Sequence, residues 1–264
     1  MIEPSTTLAG LGLIFILGLR HGLDPDHVAV IDNITFKASD ERPSLAPWVG
    51  TLFALGHSLS VAIVAIGVAF LANQFSVPEW LTAAIDWLII ALLLLVGTMN
   101  LRALMCADLY QPTGWRHAFV PRRLRDNTNP FAIIAIGAIF GLVFDTATQA
   151  AAWGAAAGAS GAGVVAIILA FSAGMILTDT ADSWIVARLL RTQGDRQIIQ
   201  RYRRMVGWVI VGLSFGMAGY ALATLLAPQM ALGDHAFSSL GIGMVVVVIL
   251  LLAVGAVRAK PKLR

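Results

Sequence analysis

Residues 20–33 read RHGLDPDHVAVIDN and bring Arg20, His21, Asp24, Asp26, His27 and Asp32 together at the end of an apolar run. Imidazole and carboxylate form a borderline ligand set suited to Ni, Co, Zn or Mn, whereas Cu(I) favours sulfur. Neutral imidazole is the form that binds metal, so protons and metal compete for His21 and His27. His21 and Asp24 are three residues apart, and Asp24 and His27 repeat that spacing, so a helix would set each pair on one face. Pro25 removes a backbone donor and crowds the preceding turn, which predicts a kink or an unwound stretch between residues 22 and 26. Broken helices expose carbonyls and helix ends to a substrate.

Three further motifs carry related groups. FALGHSLSV holds His57, LVFDTATQ holds Asp145, and GMILTDTADS holds Asp179 and Asp182 three apart. Their neighbours have plainer readings. Thr146, Thr148, Thr178 and Thr180 can bond helical carbonyls. Met175 reads as packing, and Asp86 as a solvated cap near a helix end. Arg20 reads as a counter-charge to the local aspartates, and His117 and His235 as loop residues. Asp32 reads equally as a solvated residue at the cytoplasmic edge and as part of the cluster.

The segments that must position these groups are unusually apolar. The 264-residue chain is 58% hydrophobic and 12% charged, against about 25% charged for a soluble domain. So few charges cannot cover a water-facing surface, and the composition indicates an all-α, polytopic membrane protein. Seven apolar spans fall at about 7–33, 45–73, 80–103, 131–153, 162–187, 205–227 and 239–257. Strands of about ten residues, as in a membrane barrel, do not fit these lengths. We read a single transmembrane domain over 1–264: a first triplet at about 7–103, a second at about 131–227, and a seventh helix. The lone Cys106 excludes a disulfide framework.

Lys and Arg occupy alternate loops. Lys37 and Arg42 follow the first span, Arg102 to Arg125 the third, Arg188 to Arg204 the fifth, and Arg258 to Arg264 the seventh. The intervening loops have none. The positive-inside rule then places the N-terminus outside and the C-terminus in the cytoplasm. The basic stretches act as topology and headgroup determinants, not as a nucleic-acid surface. Within the spans lie Asp24, Asp26, Asp32, Asp86, Asp145, Asp179 and Asp182 with His21, His27 and His57, against the single cation Arg20. An ionisable group at mid-bilayer costs at least about 2.5–3.5 kcal/mol. A bound cation is the missing partner, unless several acids are protonated. Short matches, RHGL with GHSL and DTAT with DTAD, suggest an inverted 3+3 repeat, since triplets of odd length have opposite orientations.

The H-x-x-x-x-D-H string formed by His21, Asp26 and His27, followed in order by LGHS, FDTAT and GMILTDTAD, resembles the nickel/cobalt transporter family of secondary permeases. These motifs cover the first, second, fourth and fifth spans. The resemblance implies a metal site drawn from His21, Asp24, Asp26, His27, His57, Asp145, Asp179 and Asp182. It also implies Ni2+ or Co2+ as transported ion, with no catalytic cofactor. Members of that family commonly have eight helices with the signature on the second; here it lies on the first. The usual RHAFDADH reads RHGLDPDH, and Gln149 stands where an acid commonly follows FDTAT.

The function expected is secondary uptake of Ni2+ and/or Co2+ across the plasma membrane. No nucleotide-binding motif is present, so neither ATP nor an ATP-binding subunit is expected to drive it. Efflux is the alternative. Related exporters often carry a histidine-rich cytoplasmic loop, and 104–130 holds only His117, which favours uptake. An intramembrane metalloenzyme is the other alternative, but no separate nucleophile or cofactor motif accompanies the His and Asp residues.

Overall fold

The computed structural model describes residues 8–72, 79–106, 124, 127–142, 156, 159, 161–193, 196–227, 229, 246 and 250. The described elements are helical: α1 (Leu8–His21), α2 (Pro25–Glu41), a 3-10 turn (Ala46–Trp48), α3 (Val49–Ala72), α4 (Glu79–Cys106), α5 (Pro130–Leu142), α6 (Gly161–Gln193) and α7 (Arg196–Leu226). Within α3, α4, α6 and α7 lie four segments long and apolar enough to cross a membrane. The seventh span, except residues 246 and 250, and all of 143–153 lie outside the described residues.

The first span is broken at the predicted place. α1 ends at His21 and α2 opens with Pro25 in its first turn, where a missing amide hydrogen loses no helical bond. The turn between them stays bonded, Leu23 N–H donating to the Arg20 carbonyl at 3.0 Å and Asp24 N–H to the His21 carbonyl at 2.9 Å. Asp24 is the N-cap of α2, yet its side chain makes no cap hydrogen bond. It faces Arg20 and His21 instead.

Close-packed helix pairs build the frame. α1 lies beside α6 and runs parallel to it: Gly18 abuts the backbone of Phe171, and Gly22 abuts Met175 and Thr178. α3 and α5 are also parallel, Gly137 meeting Phe53 and Gly141 meeting His57 and Ser60. α3 runs antiparallel to α6, since Gly50 touches Asp179 while Val61 and Ala65 share a buried cluster with Val164 and Ile167. α4 and α7 are antiparallel, Gly97 lying by Ser214 and Arg204 reaching the Leu104 carbonyl. These directions agree with alternating sense in the first six spans.

The α1–α6 and α3–α5 contacts match in detail. A Cβ on Gly18 would strike the Phe171 carbonyl, and one on Gly174 the Phe15 carbonyl; Gly56 and Gly137 stand in the same reciprocal relation to Ile134 and Phe53. Thr178 donates to the Leu19 carbonyl at 3.0 Å, and Ser60 donates to the Ala138 carbonyl at 2.7 Å. Small residues allow such approach where packing rather than water drives association. Large apolar side chains face outward instead. Leu55, Leu59, Ile63, Ile66 and Phe70 form one exposed stripe along α3, a surface suited to lipid rather than water.

Candidate metal site

The break after α1 sets His21 and His27 on two different helices aimed at a common point, and α3 brings His57 to it. All three are fully buried. One ligand atom from each lies within 4.8 Å of the others. The His21 and His57 Nε2 atoms are 3.1 Å apart. Two nitrogens bound to one metal at about 2.0–2.1 Å stand on the order of 3 Å apart, so this spacing suits a shared ion. Ring centroids are separated by 4.7 Å for His21–His27, 4.6 Å for His27–His57 and 5.1 Å for His21–His57.

Carboxylates hold two of the rings. Asp24 Oδ2 lies 3.0 Å from His21 Nδ1, while Asp24 Oδ1 faces Arg20 at 3.4 Å. Asp179 Oδ2 lies 3.2 Å from His27 Nδ1. A carboxylate on Nδ1 fixes tautomer and ring orientation and makes the imidazole a better donor to metal through Nε2. Phe171 lies against His21, and Phe53 against His27 and His57, at centroid distances of 5.3, 5.0 and 6.0 Å. The imidazoles thus meet in a buried space walled by aromatic rings.

The candidate residues therefore divide. His21, His27 and His57 converge, with Asp24 and Asp179 attached to two of them. Asp182 lies one turn beyond Asp179 on α6 and accepts a hydrogen bond from Tyr202 at 3.2 Å. Asp26 is on the first turn of α2, but its side chain lies outside the described residues, as does all of Asp145. Asp32 is buried and paired with Arg203 at 2.6 Å; the solvated reading of this residue is corrected. Thr178 bonds helical carbonyls as expected, and Met175 is packed in the interior.

Arg203 and Tyr202 escaped the sequence reading. Arg203 stands in a run of arginines that reads as a headgroup anchor. The available signal was apolar spacing: Tyr202, Val206 and Ile210 recur at helical intervals, and all three are buried in one cluster.

The model of a family described as high-affinity nickel-transport protein matches residues 7–111. The chain is 34% identical to the nickel transporter NicT of Mycobacterium tuberculosis over 207 residues, 66% of this chain and 55% of that protein. It is 29% identical to the nickel transporter NixA of Staphylococcus aureus over 208 residues, 68% of this chain and 61% of the relative. It is 30% identical to the cobalt transport protein NhlF of Rhodococcus rhodochrous over 219 residues, 69% and 60% of the two chains. The match thus spans less than two thirds of these relatives' length. No solved structure matches.

Proposed function

We propose that this chain, which matches the high-affinity nickel-transport family over residues 7–111 and resembles nickel and cobalt transporters, is a secondary permease of the nickel/cobalt transporter family. It carries Ni2+ and/or Co2+ across the plasma membrane into the cytoplasm. The observation that carries the reading is the group of three fully buried histidines whose ligand atoms lie within 4.8 Å. His21, His27 and His57 receive the ion. Asp24 and Asp179 orient two of the rings and supply negative charge that offsets the divalent cation's. Asp26, Asp145 and Asp182 complete the proposed acidic set. No ATP-binding partner is needed, because two charges moving inward gain roughly 2 × 2.3 kcal/mol per 100 mV of membrane potential.

The two triplets of spans are read as an inverted repeat about this site. The matched contacts of α1–α6 and α3–α5 support that reading. They align Gly18 with Gly137, Gly22 with Gly141 and Gly174 with Gly56. The ring pair His21–Phe171 then corresponds to Phe140–Phe53. Related halves that exchange conformations would open the histidine pocket to either side in turn.

The test is radiolabelled Ni2+ uptake with competing cations, in cells carrying the wild type or His27→Ala. We expect the variant to lose at least about tenfold in uptake, in line with the loss of one metal-site group. Unchanged uptake in His27→Ala would remove the site assignment. Cellular nickel that rises when the chain is deleted would assign export instead.

A further inference from the structure

A second buried group of charges lies one turn beyond the histidines. Asp32 on α2 pairs with Arg203 Nε on α7 at 2.6 Å, and both residues are buried. The Arg203 guanidinium also lies over the Phe36 ring, 4.6 Å from its centroid. Asp182 on α6 accepts a hydrogen bond at 3.2 Å from Tyr202, the residue beside Arg203 on α7. Among the described residues, Asp32 Oδ1 and Asp182 Oδ2 are buried without a hydrogen-bond partner.

The position of this group suggests its use. α2 and α6 run side by side in the same sense, Val28 clustering with Ile185 and Val186. From the His27–Asp179 contact both helices carry their next acid in one direction, Asp32 on α2 and Asp182 on α6. That direction leads to the arginine-rich segment between the fifth and sixth spans. A structural ion pair needs one carboxylate per guanidinium. A second acid, with one acceptor oxygen on each carboxylate unpartnered among the described residues, adds desolvation cost beyond what the ion pair needs. A cation that comes and goes would satisfy those oxygens.

We propose that Asp32 and Asp182 form an inner station for the transported divalent cation, filled between passages by the Arg203 guanidinium. This rests on the transport reading above. The ion leaving the histidines displaces a tethered cation of the same sign, so the carboxylates keep a positive partner throughout. Oxygen ligands hold Ni2+ or Co2+ less tightly than imidazole, as a station on the way to release requires.

Equilibrium dialysis of Ni2+ against the purified full chain tests the station. Arg203→Gln removes the tethered cation, and this variant should bind about one more Ni2+ per chain than the wild type. Adding Asp32→Asn to it should abolish the gain. Equal stoichiometry in the wild type and Arg203→Gln overturns the proposal. Should Arg203→Gln not fold, Arg203→Lys takes its place. Lysine keeps the charge but lacks the planar fork, so a second ion should enter at high Ni2+ and again require Asp32. A lysine variant that stays at the wild-type stoichiometry through saturation overturns the station. His27→Ala provides the separate control: wild-type binding that His27→Ala leaves intact contradicts the transport site itself, not the inner pair alone.

Discussion

Asp179 lies 152 positions from His27, yet holds its Nδ1 at 3.2 Å. Asp24 holds His21 from three residues away. The presence of acids and imidazoles at membrane depth was legible in the sequence, because each is costly there and a cluster needs a reason. The division of labour was not. Which acids orient and which stand further along depends on how α2 and α6 abut, and spacing along one chain does not encode that. The orienting role makes a specific prediction for Asp179→Asn. An amide of the same size can still meet the ring but carries no charge, so the fold should persist while the imidazole becomes a poorer donor. Ni2+ affinity should fall about 10–100-fold, the usual loss for such a partner. Titration of the purified chain measures it, and wild-type affinity in the variant would show that Asp179 does no such work. Arg203 was misread for a related reason. It stands in a run of arginines of which Arg201 is exposed, and only the burial of Tyr202 and Val206 on the same helix shows that this turn faces inward.

At the level of elements, the break at residues 22–24 was legible because proline acts locally. Helix ends were less so. The first span was expected to finish near 33 and the sixth to begin near 205, whereas α2 runs to Glu41 and α7 starts at Arg196. Hydropathy marks where lipid begins, not where backbone hydrogen bonding stops. A helix can continue through FKASDE or RQIIQRYRR into water without changing its geometry. The glycine contacts depend on which helices pair, and spacing along one chain does not encode that. Their reciprocal register, with His21 opposite Phe140 and His57 opposite Met175 across the proposed repeat, confines the imidazoles to one of two related places. The frame predicts a graded response to alanine. Gly18→Ala and Gly56→Ala each drive a methyl group into a neighbouring carbonyl, and overpacking of this kind costs roughly 1–3 kcal/mol. Gly12, with nothing within 4 Å of an added Cβ, should accept alanine with unchanged or slightly higher stability, since alanine favours helix by about 0.5–1 kcal/mol. Thermal unfolding of the three variants in one detergent should separate Gly12→Ala from the other two; equal melting of all three would contradict the close approach.

For the molecule as a whole, contacts gather the ends of alternate spans at one end of the bundle. Thr128, just before the fourth span, donates to Glu41, at the end of α2. Arg191, after the fifth span, reaches the carbonyl of Pro43. Arg204, at the start of the sixth, donates to the carbonyl of Leu104 at 2.8 Å. Among the described residues, the segments joined in this way carry Lys37, Arg42, Arg102, Arg188, Arg191, Arg201, Arg203 and Arg204, so this part of the charge asymmetry corresponds to one physical end of the protein. Contacts fix that grouping but not which side of the bilayer the end faces; the positive-inside rule supplies the side. Cys106, the only cysteine in the chain, is exposed two residues past Leu104 and reports on the same end without any substitution. A membrane-impermeant maleimide should therefore leave the protein unlabelled in intact cells and label it in inside-out vesicles. Labelling in intact cells would reverse the assigned orientation. The Asp32–Asp182 pair would then lie on the outer side of the histidines, and the proposed order of ion transfer would run the other way.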